Sequence, residues 1–321
     1  MKYCITGGAG FIGGNFIHYL LEQYPEAEVV NFDALTYAGN RETLKRWEND
    51  ARYTFVHGDI CNRDQVEMAL QGVDVIVHFA AESHVDRSIS DPEVFVRTNV
   101  LGTHVLLETA RNIGVKRFHH ISTDEVFGAL TVGEKAFSEK TPYAPHSPYS
   151  ASKAGSDHLV RAYHDTYGMP VTISNCSNNY GPYHFPEKLI PLAITNILEG
   201  KKVPVYGKGS QIRDWLYVED HCRAIDIIIR EGKEGETYCV GGDNQPTNLE
   251  IVQMLLEILE KGNEYIVFVE DRKGHDFRYD IDYSKISNEL GWKSSVSLEE
   301  GLKKTVLWYK ENENWWKPLK K

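Results

Sequence analysis

The stretch Tyr3-Cys-Ile-Thr-Gly-Gly-Ala-Gly-Phe-Ile-Gly13 decides the fold of this chain. Its first four residues predict a short buried strand, and its glycines predict a tight turn that opens a helix. The glycines follow the pattern Gly8-x-Gly10-x-x-Gly13, and Gly7 gives a related spacing. Such a turn lets the backbone approach a pyrophosphate, and the helix N-terminus directs free N–H groups at it. The stretch therefore predicts a βαβ unit that binds a dinucleotide.

Strand-like and helix-like segments alternate through the first half of the chain. Short apolar runs predict strands at residues 3–6, 28–33, 53–57, 74–79, 117–121 and 171–174, with helical stretches between them. This alternation predicts an α/β fold with a Rossmann-like, doubly wound parallel sheet. We expect residues 1–180 to form its core. Residues 181–321 are expected to form mainly a smaller mixed α/β substrate domain, with some segments returning to the first.

Composition and charge exclude several classes of protein. The 321 residues carry a formal net charge of -11 without a basic stripe, so neither a nucleic acid nor an anionic membrane is an expected partner. Five scattered cysteines without CxxC spacing indicate reduced thiols, not disulfides or a zinc site. No apolar run approaches the roughly 20 residues of a membrane span. The first strand begins almost at Met1, which leaves no signal peptide, so we expect a cytoplasmic protein.

Asp33 stands at the end of the second predicted strand, about twenty residues after the last glycine of the turn. A carboxylate in this place accepts hydrogen bonds from the ribose hydroxyls of the cofactor and repels a 2′-phosphate. Residues 34–39 contain no arginine or lysine that could bind such a phosphate. The predicted cofactor is therefore NAD and not NADP.

Tyr149 and Lys153 follow Pro148, a residue type typical of a helix start. Their spacing places both side chains on one helix face, where the lysine charge should lower the pKa of the phenol. The phenol can then exchange a proton near neutral pH, and Ser122 or Thr123 can hydrogen bond to the same substrate oxygen. The alternative is that the tyrosine only packs in the core.

Asp124 and Glu125 are adjacent carboxylates directly after a predicted strand. Neighbouring side chains of a strand point to opposite faces, so both acids serve one substrate only if the chain has left the strand there. Open α/β sheets bind ligands beyond the carboxyl ends of their strands, which makes the pair a candidate acid and base. The alternative is a pair of solvated loop carboxylates.

Together with Tyr149 and Lys153, the glycine motif resembles the extended short-chain dehydrogenase/reductase family, which acts on nucleotide sugars. Strings along essentially the whole chain resemble its 4,6-dehydratase branch: Phe32-Asp-Ala-Leu-Thr-Tyr-Ala-Gly39, Ala80-Ala-Glu-Ser-His-Val-Asp-Arg-Ser88, Ser122-Thr-Asp-Glu125, Cys176-Ser-Asn-Asn-Tyr-Gly-Pro182, Glu187-Lys-Leu-Ile-Pro191 and Arg213-Asp-Trp215. The resemblance implies bound NAD, a nucleotide-sugar substrate and a homodimer formed through residues 94–112 and 150–167. Packing within one chain would explain the apolar faces of those two segments equally well.

The resemblance also implies the roles of individual residues. The implied catalytic residues are Thr123, Asp124, Glu125, Tyr149 and Lys153. The implied NAD contacts are Gly7, Gly10, Phe11, Ile12, Gly13, Asp33, Thr36, Asp59, Ile60, Ala80, Ala81, Ser83, Asn99, Ser122, Tyr149, Lys153 and Asn179. The implied substrate contacts are Ser83, His84, Thr123, Asn178, Lys188, Leu189, Pro204, Tyr206, Arg213, Asn248, Arg272 and His275. No metal site is expected.

The reaction that the resemblance implies converts dTDP-glucose to dTDP-4-dehydro-6-deoxyglucose and water. Tyr149, aided by Lys153 and Thr123, removes the 4-hydroxyl proton while the C4 hydride passes to NAD. Glu125 then abstracts the C5 proton, Asp124 protonates the leaving 6-hydroxyl, and the hydride returns to C6. The assignment of the acid to Asp124 rests on the resemblance, because the sequence does not show which carboxyl holds a proton.

Three positions depart from the family pattern: Lys273 replaces a proline, and Phe277 and Asn175 replace arginines. These changes leave the nucleotide open, with UDP-glucose as the alternative to dTDP-glucose. An epimerase or decarboxylase of nucleotide sugars shares the loop and the Tyr/Lys pair but does not need the acid pair. A protein that binds NAD without turnover is the other alternative, against which the complete Thr/Tyr/Lys set argues.

Overall fold

The computed structural model describes residues 1–271 and 275–320 of the chain. Within these residues, eleven strands are formed. They are β1 (Lys2–Thr6), β2 (Glu28–Asp33), β3 (Tyr53–His57), β4 (Val75–His78), β5 (Arg117–Thr123), β6 (Val171–Cys176), β7 (Asn178–Tyr180), β8 (Val203–Tyr206), β9 (Trp215–Tyr217), β10 (Thr237–Val240) and β11 (Ile266–Val269).

Seven of these strands form one sheet in the order β3–β2–β1–β4–β5–β6–β10, and every neighbouring pair is parallel. The strand order reverses between β1 and β4, because β1 is followed by β2 on one side and the chain returns to β4 on the other. Doubly wound sheets bind their ligands in the crevice at this reversal. The prediction of a Rossmann-like parallel sheet is confirmed.

The described helices are α1 (Phe11–Gln23), α2 (Arg63–Ala69), α3 (Val85–Ser90), α4 (Pro92–Phe95), α5 (Thr103–Ile113), α6 (Pro148–Tyr167), α7 (Leu189–Leu198), α8 (Val218–Glu231), α9 (Asn248–Ile258), α10 (Ser284–Leu290), α11 (Leu298–Glu311) and α12 (Glu313–Trp316). A π-helical segment, Val96–Gly102, joins α4 to α5. Short 3₁₀ turns lie at Arg41–Trp47, Asp124–Phe127, Asn263–Tyr265 and Lys317–Leu319.

Helices cover both faces of the sheet, which is why its strands are continuous apolar runs in the sequence. On one face, α2, α5 and α6 bury residues such as Leu106 and Val160 against Phe118 of β5. On the other face, α1 and α8 pack together and bury Phe16 and Ile225. The glycine turn and the ends of the strands are thereby fixed to a rigid support.

The second half of the chain contributes to both parts of the molecule. Strand β10 completes the main sheet beside β6, and α8 packs against α1. A separate core forms around α7, α9 and α11, where Tyr309 and Trp316 are fully buried. Two parallel strand pairs, β8 with β11 and β7 with β9, form small sheets separate from the main sheet. The domain boundary near residue 180 stays a prediction.

The outer faces of α4, the π-helical segment and α6 carry apolar residues. Val96 and Leu101 are exposed and, with Leu159 of α6, line a shallow apolar groove. These are segments through which a homodimer was predicted, and the dimer stays a prediction. Among the described residues, no helix combines the length and the apolar character needed to cross a membrane.

Candidate active site

A cavity of about 700 Å³ opens at the carboxyl ends of the parallel strands, where the second half of the chain covers the sheet. All the predicted site residues within the described ranges line this cavity except Asn99. They are Gly7, Gly10, Phe11, Ile12, Gly13, Asp33, Thr36, Asp59, Ile60, Ala80, Ala81, Ser83, His84, Ser122, Thr123, Asp124, Glu125, Tyr149, Lys153, Asn178, Asn179, Lys188, Leu189, Pro204, Tyr206, Arg213, Asn248 and His275.

The glycine turn leaves no room for side chains. Gly7 has φ +70°, and a Cβ atom there would lie 2.7 Å from the backbone of Ala80. A Cβ atom on Gly13 would lie 2.6 Å from the Gly7 carbonyl oxygen. Helix α1 begins immediately after Gly10, which has no side chain to cap the first N–H groups. These unfilled donors and the bare backbone fit the pyrophosphate of a dinucleotide.

Asp33 ends β2 next to this turn, and its carboxylate is held in place by backbone N–H groups. Ala9 donates to Oδ2 at 2.9 Å, and Leu35 donates to Oδ1 at 2.7 Å. Each carboxylate oxygen keeps a lone pair that can accept a ribose hydroxyl. The residues present therefore fit NAD, as the sequence predicted.

The chain leaves strand β5 at the point where the two adjacent acids begin. β5 ends at Thr123, and the 3₁₀ turn Asp124–Phe127 follows directly. Thr123 caps this turn, because its Oγ1 accepts a hydrogen bond from the Glu125 N–H at 3.3 Å. The turn removes the strand alternation, so that both carboxyls line the same cavity.

Burial separates the properties of the two carboxyls. Asp124 is 2% exposed, whereas Glu125 is half-buried. Thr123 Oγ1 donates to Asp124 Oδ1 at 3.2 Å, and Asp124 Oδ2 has no hydrogen-bond partner among the described residues. Desolvation, followed by the carboxylates of Glu125 and Asp214, raises the pKa of Asp124 well above its usual range. Burial therefore favours the protonated form of Asp124 over the carboxylate.

Helix α6 carries the predicted Tyr/Lys pair and begins at Pro148, where Ser147 and Ser150 form a capping box. Lys153 Nζ donates to the Ile121 carbonyl oxygen of β5 at 2.7 Å. The sequence predicted a lowered pKa for Tyr149. In the structure, desolvation and then the nearby Glu125 carboxylate raise the pKa of this phenol well above its usual range.

Arg213 and Asp214 do not form the simple ion pair that their adjacency would allow. The Arg213 guanidinium lies over the Tyr279 ring at 4.3 Å and donates to the backbone carbonyls of Ile212 and Asp276 at 2.7 and 2.9 Å. The Asp214 carboxylate instead accepts hydrogen bonds from the Gly242 and Asn244 N–H groups. Burial raises the pKa of Asp214 to about 7. These contacts fix the guanidinium on the cavity wall.

The far wall of the cavity holds more polar groups. His275 Nδ1 contacts Asp271 Oδ1 at 2.6 Å, and the His275 ring lies edge-on to Tyr206. Lys188 Nζ donates to the Ser83 carbonyl oxygen at 3.4 Å. This wall combines cationic and aromatic side chains, which are suited to a phosphate and to a nucleobase respectively.

Two predicted contacts have a different outcome. Asn99 is 1% exposed and lies behind the cavity, where its amide bonds both the N–H and the carbonyl of Glu82 and the Ser152 hydroxyl. It supports the loop after β4, and its polar atoms are already bonded. Arg272, like Lys273, lies outside the described residues.

The sequence analysis missed His184, whose ring stacks on Phe11 at 4.1 Å over the glycine turn; no spacing in the sequence signals this contact.

The fold and the site together define a class. A doubly wound sheet, a glycine turn with an acidic partner, and a Tyr/Lys pair beside an acid pair are the features of a short-chain dehydrogenase/reductase of the nucleotide-sugar type. A family model described as GDP-mannose 4,6 dehydratase matches residues 4–305.

Full-length relatives narrow the class further. A dTDP-glucose 4,6-dehydratase from Shigella flexneri is 54% identical and covers 98% of this chain and 94% of its own length. DesIV, a dTDP-glucose 4,6-dehydratase from Streptomyces venezuelae solved with NAD bound, superposes with a TM-score of 0.97 at 51% identity over all of both chains. A UDP-glucose 4-epimerase from Thermotoga maritima reaches 0.91 at 30% identity, over 98% of this chain and all of its own. The chain belongs to the dTDP-glucose 4,6-dehydratase family.

Proposed function

We propose that the protein catalyses the NAD-dependent dehydration of dTDP-glucose to dTDP-4-dehydro-6-deoxyglucose and water. The observation that carries this proposal is the acid pair: a buried Asp124, whose pKa is raised, and a half-buried Glu125 line one cavity with Tyr149 and Lys153. An elimination of water needs one group that removes a proton and another that gives one, and this pair provides both.

Thr123, Tyr149 and Lys153 carry out the first step, the oxidation of the sugar at C4. Tyr149 takes the proton of the 4-hydroxyl group as its phenolate, which the charges of Lys153 and of bound NAD would stabilise against the effect of burial. The Thr123 hydroxyl, which hydrogen bonds to Tyr149, orients it. Bound NAD supplies a hydride acceptor for C4, a hydride donor for C6, and a positive charge beside the phenol. The oxidised C4 then makes the neighbouring C5 proton acidic.

The elimination falls to the acid pair. Glu125 removes the C5 proton, and Asp124 gives its proton to the leaving 6-hydroxyl, so that water departs and a C5–C6 double bond forms. Asp124 is suited to this role because desolvation raises its pKa, and its Oδ2, which has no partner among the described residues, can present a proton to the leaving hydroxyl. Both steps take place in the same cavity, because the turn at Thr123 places both carboxyls there.

The side chains of the cavity wall fit a nucleoside diphosphate, which is the part of the substrate that they would bind. The fixed guanidinium of Arg213 presents donors suited to phosphate oxygens, and Tyr206 presents an aromatic face for a base. Asn175, one of the departures, is buried behind the site, where its amide donates to the Thr123 carbonyl oxygen at 3.1 Å. This departure does not touch the nucleotide side of the cavity, which favours retention of the thymine nucleotide.

All five cysteines are free thiols. They are compatible with a reducing compartment, and we propose the cytoplasm as the location.

The deciding experiment is incubation of the purified protein with dTDP-, UDP-, CDP- and GDP-glucose in parallel. The expected product from dTDP-glucose has lost one water by mass spectrometry and contains a ketone that absorbs in alkali. A sugar of unchanged mass but inverted at C4 would show an epimerase instead. Turnover of UDP-glucose above dTDP-glucose would assign the other nucleotide, and no product from any of the four would refute the proposal.

A further inference from the structure

Lys153 is enclosed more completely than its charge would suggest. The residue is 4% exposed, and its ammonium is held between the Ile121 carbonyl at 2.7 Å and His120 Nε2 at 3.5 Å. Desolvation lowers the pKa of this lysine. A buried ammonium stays charged only where a neighbouring group offsets the loss of water.

Asp157 lies one helical turn after Lys153 on α6 and is completely buried. Its Oδ2 accepts hydrogen bonds from the Ser122 hydroxyl at 2.8 Å, the Tyr143 hydroxyl at 2.7 Å and the Asn175 amide at 3.3 Å. Three donors on one oxygen are the environment of an ionised carboxylate. In agreement, the pKa of Asp157 is lowered despite its burial.

His120 lies between the two charges. Its Nε2 is 3.2 Å from Asp157 Oδ1 and 3.5 Å from Lys153 Nζ, so that the carboxylate and the ammonium are within several ångströms of each other. Burial lowers the pKa of His120 to about 4, so the imidazole is neutral and adds no charge of its own. The negative charge of Asp157 therefore acts on Lys153 without an intervening cation.

We propose that Asp157 is a positioning residue whose carboxylate keeps the Lys153 ammonium charged and thereby maintains its hydrogen bond to the Ile121 carbonyl oxygen of β5. Its importance for turnover rests on the function proposed above, but its effect on the charge of Lys153 does not. Neither the glycine motif nor the Tyr/Lys spacing points to this residue.

The other groups around Lys153 do not replace this carboxylate. His78 of β4 is buried and its pKa is lowered well below its usual range, so it is neutral, and burial raises the pKa of Cys176 of β6 to about 12, so it is a thiol. Burial raises the pKa of Asp124, which favours its neutral form. The further groups of this environment are Tyr149 and the Asp157 neighbours Tyr143 and Arg161.

The test follows the charge of Lys153 directly by NMR of protein labelled with ¹³C at lysine Cε. The Lys153 signal is assigned by its loss in Lys153→Met. In Asp157→Asn, we expect the titration midpoint of this signal to fall by about one to three pH units, because an opposite charge nearby is removed. Asp165→Asn is the matched control: this aspartate is on the same helix but exposed, and the midpoint should not move.

Asp157→Ser, whose hydroxyl is smaller than the carboxyl, is a second neutral variant and should show the same fall. Tyr143→Phe removes one hydrogen bond from Asp157 but keeps its charge, so the midpoint should stay. A Lys153 midpoint in Asp157→Asn equal to that of wild type would overturn the proposal, whether or not the protein turns over dTDP-glucose. In active protein, the high-pH limb of the kcat profile should move down with the midpoint. A uniform loss of kcat at every pH, without this movement, would show a merely structural role.

Discussion

Asp124→Asn is expected to stop the elimination while the oxidation of C4 continues. The amide keeps the size of the carboxyl and the hydrogen bond from Thr123, but it has no acidic proton for the leaving hydroxyl. Asp124 is the donor in the proposed mechanism, because burial and two neighbouring carboxylates raise its pKa and favour its protonated form. Loss of a general acid slows a step by about 10²–10⁴-fold, or about 3–5 kcal/mol in barrier height.

Single-turnover mixing of the variant with dTDP-glucose provides the assay. NADH absorbance should rise at a rate close to that of wild type and then persist, because the hydride has no C6 acceptor until water has left. Quenched samples should contain the 4-keto sugar, whose mass is lower than that of the substrate by two hydrogens because it has not lost water. They should contain little dehydrated product. Asp165→Asn, a carboxamide substitution on the exposed side of α6, is the control and should behave as wild type.

Release of water by Asp124→Asn at close to the wild-type rate would refute this reasoning. Loss of the initial NADH signal would refute it in another way, because it would assign Asp124 to the oxidation. Glu125→Gln should give the same persistent NADH, since the C5 proton then stays in place. If Asp124→Asn and Glu125→Gln differ from each other in the initial rise of NADH absorbance, the two carboxyls do not act in the same step.

Three further predictions concern the cofactor cradle and stability. Asp33→Ser should weaken NAD binding in calorimetry by about 10–100-fold and improve the ratio of NADP to NAD affinity, because a charged acceptor is lost and the 2′-phosphate is no longer repelled. Gly7→Ala should lower the free energy of unfolding in urea by about 1–3 kcal/mol, since φ is +70° and Ala80 is in contact. Asp124→Asn should unfold at higher temperature than wild type at pH 7 but not at pH 4, because the raised pKa of Asp124 makes wild type lose stability as the pH rises.

The elements that bind the dinucleotide could be predicted because local geometry alone determines them. A turn with φ +70° at Gly7 requires glycine, and the site behind Gly13 has no room for a Cβ atom. The carboxylate of Asp33 must stand at the end of the next strand to reach the same ligand. For Asp124 and Glu125 the sequence analysis set only a condition, that the chain leaves the strand before both acids can face one ligand, and the turn after β5 meets this condition.

Other features depend on tertiary packing that no local pattern reports. Asn99 matched a family contact by position, but its amide is bonded behind the cavity to Glu82 and Ser152, which come from separate elements. Asp157 falls within an ordinary helix sequence, and its hydrogen-bond donors come from a strand, a loop and the next strand. The raised pKa of Tyr149 follows from enclosure, which spacing along a helix does not reveal.

The proton count of the proposed reaction explains why one short turn carries so many of its groups. In each cycle Tyr149 takes a proton from the 4-hydroxyl, Glu125 takes one from C5, and Asp124 gives one to the departing water. One of the two protons gained returns to C5, and the other must restore Asp124. Thr123 hydrogen bonds to the Tyr149 phenol and donates to Asp124 Oδ1. Its hydroxyl therefore links Tyr149, which has gained a proton, to Asp124, which has lost one. The buried acid is thus connected to the oxidation site by the residue that ends β5, and the same residue turns the chain so that Glu125 reaches the cavity.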